Sequence, residues 1–445
     1  MIAAFSKRPY RSWGRVIRRD HWVARPQFRD QLPGLLAQAQ KEGAEILGAG
    51  LGRSYGDSGL NPDGRLILGG SLDRFIALDL DQGVLRAEGG VSLDAILQLI
   101  VPRGWFLPTT PGTRFVTLGG AVANDVHGKN HHLAGSLGCH VRRIGLLRSE
   151  RGVIEVSPDQ TPELFFATLG GLGLTGFIEW VEIQLVRAPT GFLNQEAVGF
   201  SGLDGYFDLA EDSNARFEHV AAWIDCSASG AALGRGVMFR ANWSPEGGRV
   251  AQSARLKLRV PLEAPGWLLN PMSIKGFNAA YHALQSARPG PRRVPYASVF
   301  YPLDAIGDWN RLYGAAGFYQ HQSVAPPGAE RETLRDMLGV IAASGQGSFL
   351  AVLKSMGARD SGGLVSFPTP GASLALDFPN RGRRTLDLLE RLDRIVMGAG
   401  GRIYPAKDGR MSAETFRAGY PRWPALEALR DPLFQSAFWR RVTHD

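Results

Sequence analysis

This sequence predicts two domains of mixed strands and helices, and three observations carry the reading. The chain has 445 residues, and single cores stop growing at about 250–300 residues. Its texture changes near Pro189, where large aromatics become frequent ("FEHVAAWIDC", "VPYASVFYPLD"), and again near Gly398, where glycine-rich motifs return. No segment repeats in tandem. The first domain is read as residues 1–188 completed by 399–445, and the second as 189–398 inserted between them.

The elements follow in order. "AEILGAGLGRSYGDSGLN", from Ala44, reads as a short strand running into a glycine-rich loop. "RFIALDLDQGVLRAEGG" reads as a hairpin, two alternating runs around Asp81-Gln82-Gly83. "SLDAILQLIVPRG" reads as a helix capped by Ser92, with Ala95, Ile96, Leu99 and Ile100 on one face. A second loop rich in glycine and threonine, "PTTPGTRFVTLGGAVAND", leads into a histidine cluster. "VRRIGLLRSERGVIEV" is a further strand–turn–strand, and "TPELFFATLGGLGLTGFIEWVEIQLV" is helix, glycine loop and long strand. Asn242 to Lys275, rich in Pro, Gly and basic residues, reads as a long mobile loop. "APPGAERETLRDMLGVIAASG" reads as loop then helix, with Glu330 near its start.

Composition narrows the function classes. Hydrophobic residues make up 44% and charged residues 21%, as in a soluble globular protein. Two cysteines, Cys139 and Cys226, make no disulfide framework and suit a reducing compartment. No apolar run is long enough to span a membrane. The first residues lack the apolar core of a secretory signal, which points to the cytoplasm and away from the periplasm. Residues 1–26 carry Lys7, Arg8, Arg11, Arg15, Arg18, Arg19 and Arg25 against Asp20, which is +6 of the net +8. That arm suits either an anionic lipid surface or plain solvation. No nucleic-acid-binding module accompanies it, so no nucleic acid partner is expected.

Three loops carry the chemistry. "GAGLGRSYGD" (Gly48–Asp57) lets backbone N–H groups approach a phosphate. It is not a dinucleotide fingerprint of the crossover type, because Arg53 stands where the third Gly belongs and no helix follows. Alone it would serve equally as a structural turn. With "PGTRFVTLGGAVAND" (Pro111–Asp125) and "GGLGLTGF" (Gly170–Phe177) it suggests a ligand as long as a dinucleotide laid against backbone. In "DVHGKNHH" (Asp125–His132), His127, His131 and His132 could in principle bind metal. Gly128 and Asn130 favour a loop over the helix that i, i+4 ligation needs, and no second ligand cluster completes a shell. No metal site is expected there. Local hydrogen bonding and a His lining a redox pocket are the alternatives.

Gly48–Asp57, "PGTRFVTLGGAVANDVHGKNHHLAGSLGCHV" and "LFFATLGGLGLTGFI" resemble the flavin domain of the vanillyl-alcohol oxidase / p-cresol methylhydroxylase superfamily. "HGKNHHLAGSLG" is specific for its decaprenylphosphoryl-β-D-ribose 2-oxidase branch, and further matches such as "FYPLDAIGDWNRLYG", "FYQHQSV", "SFLAVLKSMG", "ALDFP" and "IYPAKDGRMSAETFRAGYPR" extend the likeness over essentially the whole chain. The resemblance implies an α+β, two-domain flavoprotein: a domain that binds FAD and an antiparallel-sheet substrate domain. It implies oxidation of the ribose 2-hydroxyl of a polyprenyl-phosphoryl sugar to a 2-keto intermediate. A separate NAD(P)H-dependent short-chain reductase would then complete epimerisation to arabinose. The lipid substrate implies peripheral contact with the inner face of the plasma membrane.

The same resemblance implies the site. FAD would be held by Gly48, Gly50, Leu51, Gly52, Arg53, Ser54 and Tyr55 of the first loop. The second loop adds Pro111, Gly112, Thr113, Thr117, Gly119, Gly120, Ala123 and Asn124. Val126, His127, Gly128, Asn130, Gly135 and Ser136 follow from the histidine stretch, and Gly173, Gly176 and Ile178 from the third loop. Tyr404 and Lys407 of "IYPAKD" would meet the isoalloxazine. His127, Lys129, Tyr301, Gln320, Gln322, Lys354, Ser373 and Ala375 would line the substrate side. Lys407 is the cation expected at the reaction centre, with His127 as candidate base and Tyr55 beside them. Mycobacterial members carry Cys where Ala375 stands and Asn where Ser373 stands, so a thiol is not part of the chemistry here, while pocket shape differs. Arg53-Ser54 stands where covalently flavinylated relatives carry His, which implies non-covalent FAD. The alternative within the same chemistry is an FAD-dependent oxidase or dehydrogenase of a soluble alditol, sugar or sugar lactone.

Overall fold

The computed structural model describes residues 4–252, 258–287 and 290–444. Two small sheets build the N-terminal part. In the first, Ser6–Tyr10 pairs antiparallel with Arg19–Ala24, which continues in parallel through Arg65–Leu68 to Ile46–Ala49. The second is antiparallel, ordered Phe75–Asp79, Val84–Glu88, Phe177–Gln184, Val141–Arg148, Gly152–Val156. The expected hairpin is therefore present, turning at Gly83 with φ +65°. Ser92 caps helix Leu93–Ile100 by accepting from Ala95 N–H. Its buried face is Leu93, Ile96, Leu97 and Ile100. Ala95 and Leu99, read above on one face with Ile96 and Ile100, are only partly buried at its margin.

The remaining chain builds one eight-stranded antiparallel sheet. Its order is Arg292–Pro295, Phe192–Phe200, Gly236–Trp243, His219–Ile224, Ala351–Met356, Gly371–Pro379, Phe318–Ala325, Arg402–Ile403. Helices Leu203–Arg216, Glu330–Ser344 and Arg383–Gly398 cover one face, burying Leu334, Leu338, Leu374, Leu376, Leu389 and Leu392 in the largest core. Alternation turns the intervening residues the other way. Gln320 lies opposite Asp377, Gln322 opposite Ala375, and Lys354 opposite Ser373. Those residues form a polar patch on the uncovered face.

The C-terminal residues join both parts. Arg402–Ile403 is the edge strand of the eight-stranded sheet, Phe416, Phe438 and Trp439 enter its core, and Phe434 bridges to Ile46 of the first sheet. Two expectations need correction. The span Asn242–Lys275 is not one loop: helix Pro271–Ser286 begins inside it, started by Asn270, whose side chain accepts from Met272 and Ser273 N–H. Residues 253–257 of that span lie outside the described residues. The basic arm, read above as lipid-facing or merely solvated, is built into the first sheet. Residues 1–3 lie outside the described residues, but Ser6–Tyr10 and Arg19–Ala24 are strands, and Phe318 N–H donates to the Gly14 carbonyl. The side chains of Lys7, Arg8, Arg11, Arg18, Arg19 and Arg25 do face solvent.

Candidate active site

A cavity of about 980 Å³ lies between the three glycine loops and the uncovered face of the large sheet. Its loop side is lined by Gly48, Gly50, Leu51, Gly52, Arg53, Ser54 and Tyr55, by Pro111, Gly112, Thr113, Thr117, Gly120, Ala123 and Asn124, and by Gly173. The loops can converge because side chains are missing. A Cβ on Gly50 would run into the Thr117 hydroxyl, and one on Gly56 into the Asp408 carbonyl. Gly52 adopts φ +65°, which favours glycine. Tyr55 N–H donates to the Ala406 carbonyl at 2.9 Å, which fastens the first loop to the segment carrying Lys407.

The histidine stretch is built around Asp125, which is fully buried with φ +40°. Its carboxylate accepts from Ser136 Oγ (2.8 Å), Gly138 N–H (2.7 Å), Ser361 Oγ (2.6 Å) and Ser366 Oγ, and these bonds hold the unusual backbone in place. The following residues, Val126 to Lys129, then line the cavity. His127 Nδ1 lies 2.5 Å from Lys354 Nζ, and its Nε2 lies 3.1 Å from the Gln322 amide. His131 and His132 turn elsewhere. His131 Nδ1 accepts from Gly357 N–H at 3.1 Å, and His132 Nε2 bonds the Phe217 carbonyl at 3.0 Å.

Lys129, Lys354 and Lys407 all line the cavity, and among the described residues none has a carboxylate within ion-pair distance. Lys129 Nζ donates to the Val299 carbonyl at 2.6 Å. Lys407 Nζ sits 3.9 Å from the centre of the Tyr55 ring. Burial holds Lys129 down at about 8. Burial, then repulsion from Lys129 and Lys407, holds Lys354 down at about 7. Burial lowers Lys407 to about 8 against the opposing pull of Asp377. His127 is pushed well below its ordinary value by burial and by Lys354, so it is neutral at physiological pH.

Gln320, Gln322, Ser373, Ala375 and Tyr404 also line the cavity. Seven expected contact residues do not. Gly119 and Ile178 lie behind the wall, with Gly119 N–H bonded to the Gly89 carbonyl. Gly176 packs on the Leu147 carbonyl, and Gly135 on Cys139 and Arg359. Asn130 pins the histidine loop to Pro108 and Thr109, and Ser136 serves Asp125. The Tyr301 hydroxyl is engaged with Thr110 Oγ1 at 2.6 Å. Their contacts are with other protein groups rather than with the cavity. Other lining residues were missed: Trp13, which stacks under Arg53 at 3.9 Å; Trp223; Phe277 and Tyr281 of helix Pro271–Ser286; and Asp304 and Asp377. For Asp377 a signal existed, since the period of two that places Ser373 and Ala375 also places Asp377.

These residues fit FAD. The cavity is walled at one end by side-chain-free backbone and the half-buried Arg53, and at the other by Tyr404, Lys407 and the polar face of the sheet. Residues 21–157 match a protein family described as "FAD binding domain". The chain is 37% identical to the decaprenylphosphoryl-beta-D-ribose oxidase of Mycolicibacterium smegmatis, over 91% of this chain and 90% of that one. It is 32% identical to an uncharacterized protein in the mprA 5' region of Streptomyces coelicolor, over 79% of this chain and 100% of that one. A shorter likeness, 26% over 36% of this chain and 27% of the relative, joins it to L-galactono-1,4-lactone dehydrogenase of Brassica oleracea. Glycine loops, cavity-lining lysines and this full-length likeness agree: the chain belongs to the decaprenylphosphoryl-β-D-ribose oxidase family of FAD-binding oxidoreductases.

Proposed function

We propose that this protein oxidises the ribose 2-hydroxyl of a polyprenyl-phosphoryl-β-D-ribose to the 2-keto sugar. The observation that carries the substrate class is the part-buried Lys129 ammonium, which lines the cavity with no carboxylate in ion-pair distance among the described residues. A neutral sugar would leave it uncompensated, whereas a phosphate supplies its counterion. Bound FAD supplies the acceptor for the hydride leaving C2. The protein supplies the rest. Lys129 receives the phosphate. Gln320, Gln322 and Ser373 orient the sugar hydroxyls. His127 and Lys354 take the hydroxyl proton as a pair: in the neutral pair Nδ1–H donates to Lys354, and the Nε2 lone pair, which accepts from the Gln322 amide at 3.1 Å, receives the proton when the sugar hydroxyl displaces that amide. Lys407 and Tyr55 lie at the flavin end, where the ammonium offsets developing negative charge. The apolar remainder, with Phe239, Phe277, Phe349, Leu350 and Val352, takes the start of the prenyl chain. The 2-keto product then needs a separate NAD(P)H-dependent short-chain reductase.

Polyprenyl-phosphoryl-ribose should bleach the flavin, while ribose and alditols should not. Bleaching by the soluble sugars alone would favour the alternative substrate class. Lys129→Met should raise KM for the phosphorylated substrate about 10- to 100-fold with little change in kcat, as loss of a charge-assisted contact predicts. In the parent enzyme KM should climb as pH rises through about 8, where the Lys129 ammonium is lost. An unchanged KM in the variant would remove Lys129 from phosphate binding.

FAD is held without a covalent bond in this reading. Among the described residues the cavity lining contains no Cys, and its one His, His127, has both ring nitrogens engaged. Acid precipitation should release all the flavin into the supernatant. Yellow colour in the pellet would contradict this.

The substrate also implies a membrane surface. Among the described residues no helix is long and apolar enough to cross a bilayer. Leu262 and Trp267 precede, and Met272 lies on, the helix whose Phe277 and Tyr281 line the cavity, and they are 77%, 73% and 84% exposed. Exposed Lys275 and the solvated arginines of residues 7–25 add attraction to anionic headgroups. The enzyme should co-sediment with anionic vesicles, less so at high salt. Trp267→Ser combined with Met272→Ser should weaken binding. Equal sedimentation on neutral and anionic vesicles, or no effect of the double variant, would overturn membrane contact.

A further inference from the structure

We infer that Trp13 is a positioning residue for Arg53: its ring is the base on which the guanidinium lies, and the pair forms a clamp for a phosphate group in the cavity. The inference rests on the reading of this cavity as the site of FAD and a phosphorylated sugar, the two sources of such a group. Arg53 and Trp13 both line the cavity. The guanidinium lies 3.9 Å from the centre of the Trp13 ring, with the centre of the Phe115 ring 5.7 Å away. The Trp13 ring meets Trp309 edge-on at 5.6 Å. Its backbone is pinned too: Trp13 N–H donates to the Ser54 carbonyl at 2.8 Å, and the Asn310 amide donates to the Trp13 carbonyl at 3.1 Å. Gly14 N–H donates to the Tyr55 carbonyl at 3.2 Å, and a Cβ on Gly14 would strike the carbonyls of Tyr55 and Phe318. The N-terminal segment is therefore wedged between the first glycine loop and the large sheet, where it delivers one ring to one guanidinium.

Charge points to the ligand. Among the described residues Arg53 makes no hydrogen bond and no ion pair through its side chain, so the guanidinium is held by aromatic faces and its N–H donors are left to the cavity. The carboxylates that act on it, Asp304 and Asp308, do so from beyond ion-pair distance. Both are engaged elsewhere: Asp304 accepts from Arg114 N–H at 3.0 Å, and Asp308 from Arg259 Nε at 2.7 Å. A guanidinium cannot shed its proton as a buried lysine can, so it keeps its charge at every working pH and demands an anion. Its planar fork matches a phosphate bidentately. Stacking on Trp13 fixes the plane of the fork and leaves its edge, where the N–H bonds point, open to that ligand.

Two measurements on the holoenzyme test this: release of FAD on dilution, followed by flavin fluorescence, and KM for polyprenyl-phosphoryl-ribose. Arg53→Met should weaken at least one of them about 10- to 100-fold, as loss of a charge-assisted contact predicts. Lost FAD affinity assigns the phosphate to the dinucleotide, and a raised KM with flavin retained assigns it to the sugar. Trp13→Leu should impair the same quantity about 3- to 30-fold, and Trp13→Phe should recover most of it by restoring a ring face. In the Arg53→Met background Trp13→Leu should cost nothing further. A ring that merely packs would add its loss in that background too. That additivity overturns the inference, as does a folded Trp13→Leu with FAD affinity and KM both parental. Trp13→Met, with its longer side chain, gives the same readings if the Leu variant unfolds. With no bleaching by the phosphoryl-ribose the proposed reaction falls, and the FAD-affinity cycle alone decides the inference.

Discussion

His127→Ala should slow flavin reduction by substrate about 10²- to 10⁴-fold, the usual range for removing a positioned general base, with FAD still bound. The ring is 8% exposed, neutral, and held from two sides, by Lys354 on one nitrogen and Gln322 on the other. Its neutrality has a physical source. Burial in company with Lys354 makes a second positive charge costly there. A proton arriving at Nε2 is therefore shared with Lys354 through Nδ1. The sign of the pH dependence follows. Below about 7 Lys354 is an ammonium, donates to Nδ1, and leaves the pair without an open acceptor. Above about 7 the pair is neutral and ready. Single-turnover reduction should accordingly fall as pH drops through about 7, and Lys354→Met should move or erase that limb. His127→Gln tests the same role while retaining a polar partner for Gln322. A rate within about threefold of the parent in both His127 variants would exclude the ring as base.

Much of this site was legible because its parts are local. Three glycine loops announce close backbone approach wherever they fold; Gln320, Gln322, Ser373 and Ala375 came only with the family resemblance, and the period of two along Phe318–Ala325 and Gly371–Pro379 explains why they share one face. What was missed depends on contacts between distant segments. The N-terminal arm reads as charge, yet Trp13 N–H donates to the Ser54 carbonyl and its ring meets Arg53 and Trp309. Helix Pro271–Ser286 was hidden because only Ile274, Asn278 and Gln285 on it are buried, which leaves little apolar period to read. The expected residues that do not line the cavity have a physical pattern too. Asn130 and Tyr301 sit beside the lining residues Lys129 and Pro302 in sequence, but their polar atoms bond Pro108, Thr109 and Thr110, while Ser136 bonds Asp125. Sequence proximity does not distinguish the residue that faces the ligand from the one that braces it.

Lys407→Ala should cut flavin reduction by substrate at least about 10²-fold, a loss of about 3 kcal/mol of transition-state stabilisation. A solvated surface lysine would contribute far less, but this side chain lines the cavity and lies against the Tyr55 ring rather than in water. The segment that delivers it is fixed independently of the ammonium. Lys407 N–H donates to the Tyr404 carbonyl at 3.0 Å, the Tyr404 hydroxyl donates to the Asn124 carbonyl at 2.8 Å, and Arg441 reaches both Asp57 and Asp408. Truncating the side chain leaves each of these in place, so the fold and the flavin should be retained. The rate effect is expected to be greatest where the ammonium is present, below about 8, and to narrow above it as the parent loses the same charge. That convergence separates an electrostatic role from a merely steric one: a variant equally impaired at every pH would point to shape, and one with unchanged single-turnover reduction would take Lys407 out of the mechanism.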